Sequence, residues 1–165
     1  MNASRMLVGS VVVVLGSGCG SRELSGPPEL RPGKDACVEC GMLVMEDRCS
    51  TGLLMEVGGR REHVVFDDLG CMIDYMPADG ARIVESYVHD HTTREWVRAG
   101  EAVYLLADPS RLPTPMGSGY VAFGERARAE AARGEFGGEL SDYAGVEAAR
   151  EAWWIERYGK PRRAR

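Results

Sequence analysis

The sequence predicts an α+β protein built from two small, similar ββα-type lobes followed by a C-terminal helix. Three observations support this class. Residues 53–66 hold two apolar runs around a Gly-Gly turn, and a short helical stretch follows them. Residues 82–133 repeat the order of strands before a helix, and residues 140–158 have a helical pattern of apolar and charged positions. A chain of 165 residues is long enough for one compact domain or two small lobes.

The first 18 residues predict an export signal that does not belong to the fold. Arg5 precedes an apolar run from Met6 to Leu15, which is too short to span a bilayer. Small residues then lead into Cys19, and this pattern resembles the lipobox of bacterial lipoproteins, in which the cysteine carries the lipid. We therefore predict a lipoprotein signal peptide over residues 1–18 and lipidation of Cys19. The alternative, an ordinary cleaved signal, also implies export.

The rest of the chain divides by composition. Residues 19–36 are rich in proline, glycine and charge without periodicity, which predicts a flexible tether. Residues 37–136 predict the folded domain, with lobes at about 37–80 and 81–136. Residues 137–165 predict the C-terminal helix and a short basic tail.

In the first lobe, strands are predicted at 53–57 and 63–66. Asp67 and Asp68 come next and could cap a helix from Leu69 to Met76, which a proline would end. This order defines the ββα unit.

In the second lobe, a strand running into a Phe again leads to a helix. The weak match between VVFDD and VAFGE, where each strand leads into a helix, is consistent with a duplicated unit. Coincidence is the alternative, since strands that lead into helices are common. The predicted elements are strands at 82–89, 101–107 and 119–123, a short strand or turn at 94–97, and a helix at 125–133.

The charge balance argues against nucleic acid as a partner. Without residues 1–18, which contain one basic residue, 19 Lys and Arg oppose 25 Asp and Glu, a formal charge of −6. The basic residues from Lys160 to Arg165 form a short end that we interpret as solvated.

Cys37 and Cys40 form a Cys-x-x-Cys pair with several possible chemistries. A thiol redox pair would begin a helix, but no capped helix pattern follows here. A four-cysteine zinc site would need a second short-spaced pair, whereas Cys49 and Cys71 are 22 residues apart. Structural disulfides would suit an exported protein. These readings stay open beside a fourth, a soft metal site.

The methionines favour the soft metal site. Cys40 and Met42 lie at i and i+2 with glycine between them, so both sulfurs can point the same way on an extended chain. Met116 lies on a Pro-Gly loop with no apolar neighbours to cover it. Thiolate and thioether are soft ligands that select Cu(I).

Four other residues could provide further ligands or support for the ligands: Asp67, Cys71, His89 and His91. Each also has an ordinary structural interpretation. Asp67 can help to cap the helix, and the histidines can be solvated or satisfied within the fold.

Three blocks in order resemble the NosL family: CVECGM at residues 37–42, FDDLGCMIDYM at 66–76 and TPMGSGYVAFG at 114–124. The resemblance extends to about Arg133. NosL proteins are lipoproteins associated with maturation of the copper enzyme nitrous-oxide reductase in denitrification. The resemblance implies a Cu(I) chaperone with a fold of two ββα lobes like that of organomercurial lyase.

The resemblance also implies site residues and partners. Cys40 and Met42 match the Cys-x-Met copper motif of the family, and Met116 matches the methionine of the second lobe. Cys37 could be a third ligand or could oxidise with Cys40. The implied protein is lipid-anchored, faces the periplasm, and serves nitrous-oxide reductase and its maturation and transport machinery, as a monomer or a homodimer.

We predict a binding protein without catalytic turnover. The alternative is a thiol-dependent enzyme, either a disulfide reductase or an organomercurial-lyase-like enzyme. A lyase needs two thiols and a carboxylate in one pocket, which Cys40, Cys71 and Asp67 could provide.

Overall fold

A computed structural model describes residues 23–162, so the predicted signal peptide and Cys19 lie outside the described residues. Two antiparallel sheets and three α-helices make up this part of the chain. The elements are β1 (Thr51–Val57), β2 (Arg60–Phe66), α1 (Leu69–Asp74), β3 (Arg82–His89), β4 (Trp96–Arg98), a 3-10 turn (Ala99–Glu101), β5 (Val103–Leu106), β6 (Tyr120–Phe123), α2 (Arg126–Phe136), β7 (Glu139–Ser141) and α3 (Tyr143–Tyr158).

The first sheet has the strand order β2-β1-β3-β4. The central strand β1 is buried over its first five residues, because it has a neighbouring strand on each side and packs against α1. Leu53 and Met55 of β1 join Phe66, Leu69 and Met72 in one hydrophobic cluster. The predicted hairpin is confirmed, with register running from Thr51 opposite Phe66 to Val57 opposite Arg60.

The second sheet has the order β6-β5-β7, and α2 lies against it. Its core contains Leu105, Val121, Phe123 and two alanines of α2. The α2 residues facing this core are small, so the helix approaches the sheet closely. β5, β6 and α2 repeat the ββα order of the first sheet, as the sequence predicts.

The α+β class with two small sheets and a C-terminal helix is confirmed. Strand pairing changes sheet between Arg98 and Val103. β3 and β4 therefore pair with the first hairpin, although they lie within residues 81–136 of the predicted second lobe. The three-residue strand β7 was not predicted, and α3 begins at Tyr143, after the Asp142 cap, instead of at residue 140.

Residues 23–36 are bound to the body, in contrast to the predicted flexible tether. Glu23 pairs with Arg61 at 3.0 Å, and the Gly26 carbonyl lies 2.8 Å from the His63 ring. Pro28 is buried. Composition suggested a tether. Local sequence patterns could not reveal these contacts, because they join segments about 37 residues apart.

Within residues 23–162, no helix is long and apolar enough to cross a membrane.

Gly52 tests the packing of this N-terminal segment. A β-carbon at Gly52 would lie 2.4 Å from Cγ of Pro28, so Gly52→Ala should push the proline ring outward. We expect a loss of about 1–3 kcal/mol in the free energy of unfolding, together with faster tryptic cleavage after Lys34. Urea unfolding and timed proteolysis measure both. Gly100→Ala is the control, because a β-carbon at Gly100 meets nothing within 4 Å; equal behaviour of the two variants would contradict the packing.

Candidate metal centre

The loop from Cys37 to Met42 is a tight turn held by its own backbone. The Cys37 N–H donates to the Met42 carbonyl at 2.8 Å, and the Gly41 N–H donates to the Cys37 carbonyl at 2.8 Å. Gly41 has a φ of +76°, a conformation that other residues adopt only with strain. The Val38 N–H donates to the Val65 carbonyl at 3.0 Å, which ties the loop to β2. The turn thus presents two cysteines from one short segment.

The helix α1 brings a third thiol to this loop. Asp68 caps the helix by accepting from the Gly70 N–H at 2.7 Å, and Cys71 follows within the first turn. The sulfurs of Cys37, Cys40 and Cys71 all lie within 4.8 Å of one another. Cys37 and Cys71 are 1% and 6% exposed, whereas Cys40 is partly exposed. The cluster therefore opens to solvent on the side of Cys40.

Three thiols at this spacing suit a soft, low-coordinate metal ion. Metal–sulfur bonds of ~2.3 Å place three sulfurs about 4 Å apart around one ion, so the cluster needs little movement to bind. Among residues 23–162, Cys49 is not part of this group; it packs in the core of the second sheet. The four-cysteine zinc site considered from sequence is therefore not assembled, and all four described cysteines are free thiols.

The three thiols differ in their protonation. A hydrogen bond from Cys71 lowers the pKa of Cys37 to about 5, helped by the backbone N–H groups of Cys40 and Asp67. The same bond raises the pKa of Cys71, and burial raises the pKa of Cys40. These shifts favour the thiolate form of Cys37 and the protonated forms of Cys40 and Cys71, so a bound cation would displace protons from Cys40 and Cys71.

Asp67 lies beside the cluster as a buried carboxylate. It is 4% exposed, and its Oδ1 has no hydrogen-bond partner among the described residues. Burial and the negative charge of Cys37 raise the pKa of Asp67 to about 6, although the Met45 backbone N–H points at the carboxylate. Asp67 is thus a neighbour of the thiols and stands outside the group whose ligand atoms lie within 4.8 Å.

The loop bearing Met116 is attached to the start of α1 through Asp68. The Thr114 hydroxyl donates to Oδ2 of Asp68 at 2.6 Å, and the Met116 N–H donates to the same oxygen at 3.1 Å. Asp68 itself is fully buried. The second lobe thereby places Met116 near the helix that carries Cys71. The side chains of Met116 and Met42 are 43% and 52% exposed, and their role as ligands stays a prediction.

The two histidines suggested as further ligands lie outside the thiol group. His89 is buried, with Nδ1 2.8 Å from the Ser50 hydroxyl and its ring 3.6 Å from that of Trp96. His91 has its ring edge against Phe123. Burial lowers the pKa of both imidazoles.

The C-terminal part of the chain contacts both segments that carry the thiols, which are α1 and the loop of residues 37–42. Arg150 pairs with Asp74 of α1 at 2.6 Å, and the Trp154 indole N–H donates to Asp74 at 2.8 Å. Beyond the helix, Arg162 pairs at 2.8 Å with Glu39, which lies between the two loop cysteines. The end of the chain therefore braces the loop of residues 37–42, the candidate metal loop.

Comparison with known proteins connects this architecture to one family. The NosL family model matches residues 30–150. The chain belongs to the NosL family. This confirms the resemblance seen in the three sequence blocks. A comparison with curated proteins gave no match.

The fold agrees with a solved NosL structure. The crystal structure of the copper chaperone NosL from Shewanella denitrificans matches with a TM-score of 0.56 and 20% sequence identity. The match covers 72% of this chain and 96% of that chain. At this identity the likeness shows the shared NosL fold, and the ligand set of this chain has to be argued from its own residues.

Asp68 should contribute more to the stability of this NosL fold than an ordinary helix cap does. Asp68→Ala removes the cap, worth about 1 kcal/mol, and leaves the Thr114 and Met116 donors without their acceptor. We expect a total loss of about 2–4 kcal/mol in urea unfolding. Asp142→Ala, which removes only the cap of α3, should cost about 1 kcal/mol. Equal losses would show that the loop is not held by Asp68.

Asp67 should make the metal-free protein less stable at high pH. Because its folded pKa lies above the unfolded value of 3.8, its contribution is fully present below that value and is lost as pH rises through about 6. The free energy of unfolding of Asp67→Asn should therefore be about 2 kcal/mol higher than that of the parent protein near pH 7.5. The difference should be smaller near pH 5. Urea unfolding under reducing conditions measures this difference. Asp142→Asn is the surface control, and a gain for Asp67→Asn that does not change with pH would contradict the assignment.

Proposed function

We propose that the protein is a Cu(I) chaperone that binds one ion at the cluster of Cys37, Cys40 and Cys71 and passes it to an exported copper enzyme. The observation that supports this most directly is the convergence of three thiols from two separate segments within 4.8 Å. Membership of the NosL family, and the description of the Shewanella denitrificans protein as a copper chaperone, favour this function over the enzyme alternatives.

The ligand chemistry follows from the burial of each sulfur. Cys37 and Cys71 would hold the ion from the interior, where thiolates bind soft cations without competition from water. Cys40 would complete a three-sulfur site at the opening. Met42 and Met116 would offer exposed thioethers, which bind Cu(I) without losing a proton. Their match to the family motif supports this outer role.

Delivery would then proceed by ligand exchange. A ligand of the client would first bind the ion on its exposed side, replacing Cys40 or a thioether. Protons would return to Cys40 and Cys71, whose pKa values are raised, and so weaken their hold on the ion. A partly open site suits transfer better than a closed tetrahedral cage.

The client and location follow the family resemblance. We propose nitrous-oxide reductase as the recipient, within a maturation and transport machinery of denitrification. Lipidation of Cys19 would anchor the chain to a bacterial membrane with the fold in the periplasm. A homodimer could also form around the exposed sulfurs, and measurement of mass in solution with and without Cu(I) would decide between the two states.

Substitution of single cysteines tests the three-thiol site. Cys71→Ser and Cys40→Ser should each weaken Cu(I) binding about 100-fold or more, because each removes one sulfur of the cluster. Cys49→Ser is the matched control, since Cys49 lies in the other core. Anaerobic competition with a chromophoric Cu(I) chelator gives the affinities. Unchanged affinity in Cys71→Ser would overturn the three-thiol site.

The thioethers need a separate comparison. Met42→Leu and Met116→Leu should weaken binding about 10-fold, because leucine keeps the size but lacks the sulfur. Met45→Leu serves as control, as Met45 is 69% exposed and lies outside the family motif. Equal affinities for all three variants would remove methionine from the ligand set.

A further inference from the structure

The described chain is fixed to one end of the first sheet from its first residue onward. Glu23 pairs with Arg61, and the Leu24 carbonyl accepts from the Arg61 guanidinium at 3.2 Å. Two residues later the Gly26 carbonyl meets His63. Arg61 is the second residue of β2, next to the β1–β2 turn. The point where the chain joins the fold therefore lies beside this turn.

The distance from Cys19 to this point is short. Three residues lie between Cys19 and Glu23, and the four steps from one Cα to the next span at most about 14 Å in an extended chain. A cysteine carrying acyl chains lies at the level of the lipid headgroups. The β1–β2 turn must then lie close to the bilayer, whereas a tether extending to residue 36 would leave the fold free to take any orientation.

The surface at this end suits contact with lipid. Leu24, Val57 and Ile83 are 41%, 40% and 42% exposed. Strand register places Val57 and Ile83 together at this end, because Val57 pairs with Arg60 and Ile83 pairs with Met55. Leu24 reaches the same end of the sheet through the contact of its carbonyl with Arg61. The acidic Glu23 and Glu56 are each paired with an arginine there, Arg61 and Arg82. Because these charges are paired they neutralise each other, and the exposed aliphatic side chains can enter the headgroup region of a bilayer.

The thiol cluster lies at the other end of the same strand. From Arg60 to Phe66, β2 spans about 20 Å, and the next residue, Asp67, directs its backbone N–H at Cys37. We propose that the β1–β2 turn, with Leu24, Val57 and Ile83, is the surface that rests on the bilayer, so that the thiol cluster faces away from the bilayer. This orientation rests on the lipid anchor of the proposed function and leaves Cys40 open to a soluble partner.

A competing apolar surface lies on α3. Trp153, Ile155 and Tyr158 are 36%, 47% and 48% exposed. This helix leads to Arg162, which contacts Glu39 in the metal loop. Resting that surface on lipid would bring the metal loop towards the bilayer, away from the short connection at Glu23. The two surfaces therefore predict opposite orientations.

Photo-crosslinking to lipid distinguishes them. The native chain, extracted from membranes, is placed in vesicles of phosphatidylethanolamine and phosphatidylglycerol that contain a diazirine phospholipid, and adducts are mapped by mass spectrometry. We expect adducts on residues 57–62 and 79–83, at about threefold or more the yield on residues 36–45 and 153–158. Adducts concentrated on residues 36–45 or 153–158, or spread evenly, would overturn the orientation.

A second anchor separates this proposal from the lipidation of Cys19. The mass of the N-terminal peptide reports directly whether Cys19 carries acyl chains. In parallel, a chain with hexahistidine in place of residues 1–19 is bound to vesicles with nickel-chelating lipid, and the same adduct map is measured. If Cys19 is unmodified but adducts form at residues 57–62 in this chain, lipidation of Cys19 is wrong and the membrane-facing surface is supported. Adducts elsewhere would show that the proposed surface is wrong.

Two isoleucines provide a matched pair of variants. Ile83→Asp should lower the adduct yield at residues 79–83 about threefold, because it places a carboxylate where an apolar side chain met lipid. Ile155→Asp makes the same change at a similarly exposed position on α3 and should leave the map unchanged. The reverse result would favour the surface on α3. Copper affinity measured alongside should stay constant in both variants.

Discussion

The buried carboxylate of Asp68 holds the site together, because it is bonded on both sides of the boundary between the lobes. One oxygen caps α1, and the other accepts from the Thr114 hydroxyl and the Met116 backbone. Burying a carboxylate is costly unless such donors surround it. The helix that carries Cys71 and the loop that carries Met116 are thereby fixed to one point, although Thr114 comes 46 positions after Asp68 in the sequence.

The neighbouring Asp67 shows the opposite use of the same side chain. It is nearly as buried as Asp68, yet one of its oxygens has no partner and a thiolate lies close by. An arrangement of this kind costs stability and is common where charge has a functional task. In this protein it places one carboxylate beside the thiols, where its negative charge favours a bound cation over an anion.

Local patterns predicted much of this fold because the relevant forces act between near neighbours. The Gly-Gly hairpin and the Asp68 cap depend on residues within a few positions of each other, and both are confirmed. The docking of Pro28 on Gly52 depends on distant contacts, and the sequence suggested a free tether instead. Cys71 was considered only a further ligand, because its approach to Cys37 joins two segments that are distant in the sequence. The N-cap at Asp68 was the signal that could have placed it.

Cys37 and Cys71 belong to the same hydrophobic cluster as Leu53 and Phe66. An ion bound between them would occupy the interior of the first lobe much as a side chain does. Filling and emptying the site would therefore add or remove contacts in this core with little movement of the sulfurs, and the loaded and empty proteins would differ in rigidity as well as in cargo. A client could tell them apart by that rigidity before any sulfur is exchanged.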